Sequence, residues 1–146
     1  MTQEDKELLL KDICSRLPYE NVVGKCELDA SYDTSFDTIF QTHKFDAVVY
    51  GLKEDLLLVT PLIEDMDEQE FANEEVADGV DILEFTPYLF PLSSMTEEQQ
   101  INLTKFVANG IKGENILYDW YNKNHFDYRG LIEQGLAIDA TGLNIY

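Results

Sequence analysis

The chain has 146 residues, 29 acidic and 10 basic side chains, a formal net charge of −19, and 45% hydrophobic and 12% aromatic content. This length and apolar content fit one domain burying roughly 70% of its unfolded surface and exclude global disorder. The shortage of Lys and Arg excludes direct binding to a nucleic-acid backbone or an anionic membrane, since both recruit basic side chains.

Residues 3–17 read as a helix, with Thr2 as cap and Asp5 completing a weak capping box. Leu9, Leu10, Ile13, Cys14 and Leu17 recur on one apolar face, and Pro18 stops the helix. From 21 to about 63 the pattern is β. Val22 to Leu28 alternates partially around Gly24, which reads as a bulge, and Thr34 to Thr42 alternates through Phe36, Thr38 and Phe40. Asp46–Leu52 and Leu56–Ile63 form a predicted hairpin turning at Lys53-Glu54-Asp55. Both strands are apolar on both parities, which predicts burial on two sides. Val80–Phe85 is a fifth strand, and Pro87 and Pro91 bracket a rigid apolar connector. Thr96 to Gln99 is a capping box before Ile101, Leu103, Phe106 and Val107, with Gly110 as the stop. A further helix runs from Glu114 to Asn124 and presents Ile116, Leu117, Trp120 and Tyr121. The tail from Phe126 to Tyr146 is apolar and glycine-punctuated, a packed and turning segment.

The expected architecture is α+β. An N-terminal helix precedes a small antiparallel sheet of about five strands, open or barrel-like, and two or three C-terminal helices follow. It forms a single domain over 1–146: helix over 1–17, mainly β over 21–85 with an acidic excursion at 64–79, and mainly helical over 96–146.

The charge is local. Residues 1–53 carry a net of −4 and residues 105–146 a net of −1, whereas the interval between Lys53 and Lys105 has no base and fourteen acids. The densest part runs from Glu64 to Asp81, an acidic excursion that reads as a solvated loop or helix face, kept extended or mobile rather than buried by self-repulsion.

Asp65-x-Asp67-x-Gln69 invites a calcium-loop reading, but the required Gly and Glu positions hold Glu70 and Val76, so a solvated acidic face is preferred. His43 and His125 are the only histidines, and no hydrolase, nucleotide-binding or zinc string occurs. No cofactor or metal is expected. Cys14 and Cys26 read as free thiols of a reducing compartment, with a disulfide between them as the lesser alternative. No stretch approaches the ~20 apolar residues of a membrane span. The acidic start from Met1 to Glu7 is unlike a signal peptide, so a cytoplasmic location is expected.

The densest polar and aromatic set is Trp120 to Gly130. His125, Asp127, Tyr128 and Arg129 are candidate binding residues, since Tyr and Arg favour interfaces and a His-Asp pair can tune an acid or base near neutral pH. The competing reading places Trp120, Phe126 and Tyr128 in the core, with Arg129 and His125 satisfying carbonyls at a helix end.

Pro87-Tyr88-Leu89-Phe90-Pro91-Leu92-Ser93-Ser94-Met95-Thr96-Glu97-Glu98 resembles a signature of small uncharacterised proteins from gut Bacteroides-type bacteria and their phages and mobile elements. His125-Phe126-Asp127-Tyr128-Arg129-Gly130-Leu131-Ile132, continuing through Gly135-Leu136-Ala137-Ile138, is similar to that family's C-terminal signature. The resemblance implies a bacterial or phage cytoplasm and assigns no activity to any residue.

Three functions compete. The first is a small non-enzymatic accessory protein that binds a protein partner, with Asp65, Asp67 and Glu68 in the acidic surface. The second is an acidic nucleic-acid mimic that inhibits a DNA-binding protein, and the third an enzyme with a site near His125, Asp127 and Arg129.

Overall fold

The computed structural model describes residues 1–19, 22–33, 35–109 and 115–146. Asn21, Thr34, Gly110 and Glu114, placed above at element ends, lie outside the described residues. In chain order the elements are α1 (Gln3–Arg16), β1 (Val22–Asp33), β2 (Thr38–Lys53), β3 (Leu56–Pro61), α2 (Met66–Glu75), β4 (Val80–Asp81), β5 (Phe85–Pro91), α3 (Glu97–Asn109), α4 (Asn115–Lys123), β6 (Phe126–Asp127) and β7 (Ile138–Asp139). The fold is α+β, with an N-terminal helix, a mixed sheet and C-terminal helices. The antiparallel pattern extends through β2, β3 and β4, but β5 pairs parallel with β6 and β7, and the sheet does not close into a barrel. The chain divides into two compact units: a central one, Val23–Thr86, and a terminal one made of Met1–Val22 and Pro87–Tyr146.

In the terminal unit, α1 starts where Thr2 and Asp5 exchange hydrogen bonds. The Asp5 N–H donates to Thr2 Oγ1 at 3.1 Å, and the Thr2 N–H donates to Asp5 Oδ2 at 2.7 Å. The Thr2 main-chain N–H, and then its hydroxyl, hold the Asp5 carboxyl below the usual carboxylate range. Leu9 and Ile13 are buried, but Cys14 is exposed, and the inner stripe continues instead through Asp12 and Arg16. The Pro-bracketed connector is a strand. Phe90 and Pro91 of β5 pair with Phe126 and Asp127 of β6, and Tyr88 and Leu89 pair with Ile138 and Asp139 of β7. Pro91 is the last residue of this strand and Pro87 its third.

Thr96 and Gln99 form the expected box: the Gln99 N–H donates to Thr96 Oγ1 at 3.2 Å, and the Thr96 N–H to Gln99 Oε1 at 2.9 Å. On α3, however, Ile101, Phe106 and Val107 are exposed and, of the four, only Leu103 is half-buried. In α4, Trp120 is buried and stacks on Phe126, with ring centroids 5.5 Å apart and planes 10° from parallel. Beyond Lys123 the chain is two short strands and turns rather than helix, with Leu131, Leu136, Ala137 and Ala140 buried.

In the central unit the strand order is β4-β3-β2-β1. Residues 38–42 of the β run expected at 34–42 join the run expected at 46–52 in one long strand, β2, and the β2–β3 hairpin forms as read, with Glu54 at φ 58° in its turn. Ala47, Val49, Leu57 and Val59 are buried, whereas Val48, Leu56 and Leu58 are half-buried and Tyr50 is exposed. These strands therefore bury one face rather than two. Gly24 serves a close approach, since a Cβ there would lie 2.3 Å from Phe85 Cζ and 2.6 Å from the Thr86 carbonyl oxygen. The strand expected at Val80–Phe85 is broken by a single 3-10 turn at Ile82–Glu84, capped by Asp81 and Glu84.

Of the loop and helix-face readings of the acidic interval, the structure has the solvated helix, and not an extended segment. The interval contains α2, which Asp65 caps by accepting from the N–H groups of Asp67 (3.1 Å) and Glu68 (3.0 Å). Asp67 and Glu68 in its first turn meet the positive end of the helix dipole, which offsets their mutual repulsion there. Ala72 and Val76 are buried, and Gln69 Nε2 donates to the Pro61 carbonyl at 3.2 Å, so the helix is seated on the end of β3.

Candidate functional site

The residues from His125 to Arg129 point in different directions. His125, buried at φ 58°, stacks on Tyr146 with ring centroids 3.6 Å apart. Its carbonyl accepts from the Phe90 N–H at 2.9 Å. Asp127 is buried, and its two carboxylate oxygens accept from the N–H groups of Leu131 and Ile132, both at 2.9 Å, which closes the turn that follows. Tyr128 and Arg129 alone of the four line a cavity of about 340 Å³ with Ser15, Tyr118, Asp119 and Asn122. The Arg129 guanidinium carbon stands 4.7 Å from the Tyr128 ring centroid, a cation–π contact. At the rim of this cavity the Tyr19 hydroxyl donates to Asp119 Oδ1 at 2.6 Å, and that hydrogen bond pushes the Tyr19 phenol above its ordinary range.

Behind that cavity is a charged cluster the sequence reading did not single out. Arg16 Nε donates to Asp12 Oδ2 at 2.6 Å, Arg16 Nη2 to Asp12 Oδ1 at 3.0 Å, and Arg129 Nε to Asp12 Oδ1 at 3.1 Å. Arg16 and Asp12 are both wholly buried. Arg16, rather than Arg129, satisfies a main-chain carbonyl, that of Phe126, at 3.0 Å. The signal was present in the sequence: Asp12 and Arg16 are four apart and fall on the stripe of Leu9 and Ile13. Asp12 is engaged by guanidinium groups, Asp127 by main-chain N–H groups and Asp119 by the Tyr19 hydroxyl, so these carboxylates hold the chain together.

Asp67 and Glu68 take part in a second arrangement, inside the central unit. They line a cleft of about 690 Å³ together with Phe71 and Ala72 of α2, Leu62 and Ile63 of the approach to α2, and the consecutive β2 residues Gln41 to Asp46. Asp65 is not part of it, because its carboxylate is spent on the helix cap. The His43 ring meets the Phe71 ring at 4.8 Å between centroids, which puts His43 on the α2 side of β2. The Lys44 ammonium is engaged by Glu27 of β1 at 3.0 Å. The cleft volume lies within the range of small-molecule and peptide pockets.

No protein-family model, curated protein or solved structure matches this chain.

Among the described residues no three His, Cys, Asp or Glu side chains are arranged to hold a metal ion. Both cysteines are free, and Cys26 is fully buried, with burial and then Glu84 and Asp46 pushing its thiol up to about 12. Such a thiol stays protonated and is a poor nucleophile. No helix among the described residues is long and apolar enough to cross a membrane. The cleft between β2 and α2 combines an acidic wall, apolar lining and a row of consecutive strand residues. The signal that could have found it is the hydrophobic and aromatic spacing of Phe71, Ala72 and Val76, which marks a helix inside the acidic run.

Proposed function

We propose that this chain is a non-enzymatic protein-binding module that engages a basic segment of a partner protein in the cleft between β2 and α2. One observation carries the reading: Asp67 and Glu68 stand exposed on the same cleft as Phe71, Ile63 and Leu62, so charge and apolar surface are offered together. An interface built this way takes its on-rate and selectivity from the charge and its affinity from the apolar part. The surrounding net charge of −19 draws in a basic partner over about a Debye length, roughly 8 Å at physiological salt. A cytoplasmic setting in a bacterium, phage or mobile element, which the resemblance implies, belongs to the same proposal.

The acidic-mimic reading draws on the order of α2, which gives the carboxylates a fixed spacing. It ranks second, because a helix of 10 residues spans only about 15 Å and presents its acids on a short arc.

The test is a selection of displayed random peptides on the full chain, repeated on an Asp67→Lys/Glu68→Lys variant. Enrichment of Lys- and Arg-bearing peptides is expected, with at least tenfold weaker binding to the variant. No enrichment, or binding indifferent to the double substitution, would overturn the proposal.

A further inference from the structure

The β2 strand is 16 residues long and β3 only six. Their pairing runs from Lys53↔Leu56 to Ala47↔Pro61, and the last bridge is the Leu62 N–H donating to the Asp46 carbonyl at 2.7 Å. Before Asp46, β2 keeps β1 on one side, while its other side borders the cleft. Main-chain groups alternate along a strand, so residues two and four before Asp46, Lys44 and Thr42, direct their N–H and C=O toward the side that β3 occupies further along. Among the described residues no strand lies against them there. Opposite this edge stand Ile63, Asp67, Glu68 and Phe71.

The geometry points to strand addition. We propose that an extended segment of a partner protein, carrying Lys or Arg at alternate positions, lies antiparallel to β2 between Thr42–Lys44 and α2, continuing the line of β3. This rests on the protein-binding reading above and adds to it the conformation of the partner and the main-chain groups that hold it. Strand addition uses main-chain hydrogen bonds for affinity and alternate side-chain contacts for selectivity. Here the alternate side chains on the α2 side meet Asp67 and Glu68, which favours cations, and Phe71, which accepts their aliphatic stems. The Lys44 ammonium does not compete for those carboxylates, because Glu27 engages it.

The probe is an end-capped peptide of about nine residues alternating lysine and valine, long enough to cover the edge. Its controls are the same peptide with every main-chain nitrogen methylated and one with glutamate in place of lysine. Binding to the full-length protein is followed by amide hydrogen exchange and titration. The lysine peptide should slow exchange of the Thr42 and Lys44 amides at least tenfold, and methylation or glutamate should each weaken binding at least tenfold. If the methylated peptide binds as well and those amides exchange unchanged, while Asp67→Lys/Glu68→Lys still abolishes binding, strand addition falls and the acidic cleft stands. If the double substitution has no effect, both readings fail. Absence of binding at millimolar peptide overturns strand addition, as does protection of the two amides that appears without peptide and grows with protein concentration, which would make a second copy the occupant.

Discussion

Asp12 accepts hydrogen bonds from two guanidinium groups while wholly removed from solvent, and Arg16 Nη1 beside it has no hydrogen-bond partner among the described residues. Breaking such a buried pair leaves a charge unpaired and costs far more than the pair itself contributes. Asp12→Ala is therefore expected to lower unfolding free energy by about 3–5 kcal/mol in urea titrations. Asp12→Leu combined with Arg16→Met should recover more than half of that loss, and a double variant no better than the single one would refute this account. The two thiols make a second contrast. Exposed Cys14 should react with a disulfide reagent in the native state, whereas Cys26 should react only on unfolding. The folded pKa of Cys26, about 12, lies above the unfolded value. Its contribution to stability is therefore complete below the unfolded pKa and is lost as pH rises toward 12, at about 1.4 kcal/mol per pH unit. Cys26→Ala should flatten the alkaline decline of stability by that slope, read as denaturant midpoints between about pH 9 and 11.

At the scale of elements, the β1 strand depends on Gly24, over which the fully buried Phe85 ring lies. Gly24→Ala drives a methyl group into that ring and into the Thr86 carbonyl, a loss of about 1–3 kcal/mol or more. Pairing it with Phe85→Leu should restore part of the stability, and unchanged thermal midpoints in Gly24→Ala would contradict the contact. Local signals made much of this legible in advance. Thr2 with Asp5, Thr96 with Gln99, and the turn at Glu54 each act within a few residues, so their chemistry is written in adjacent letters. What was misread depends on partners far along the chain. Gly24 looked like a bulge because Phe85 is 61 positions away, and Pro87–Leu92 looked like a connector because the β6 and β7 strands that pair with it come much later. In the acidic interval the charge count leaves a loop and a helix face both open, and the cap at Asp65 with the buried Ala72 and Val76 decides for the helix. The candidate site was half legible. Asp67 and Glu68 were named, but the facing edge of β2 follows only from where β3 ends.

At the scale of the molecule, fourteen acids fall in one interval without a base, and five of them sit exposed on α2. Folding brings these charges closer than they are in the open chain, and the resulting repulsion is screened by salt. Stability should rise between about 20 and 300 mM sodium chloride, the range over which the Debye length falls from roughly 20 Å to 6 Å. Glu70→Lys/Glu74→Lys should reduce the dependence, and a stability that does not respond to salt would show the repulsion to be negligible. A last consequence concerns time. The central unit is one continuous segment, Val23–Thr86, whereas the terminal unit needs residues from both sides of it. Arg16 emerges from the ribosome 110 residues before Phe126, whose carbonyl it binds, and Asp12 emerges 117 residues before Arg129. At ordinary elongation rates that interval is on the order of ten seconds. Over the last 40 residues of that interval the central unit already has its whole sequence to fold with, while α1 must wait, its aspartate and arginine still in water, for the helix, strand and turn that later enclose them.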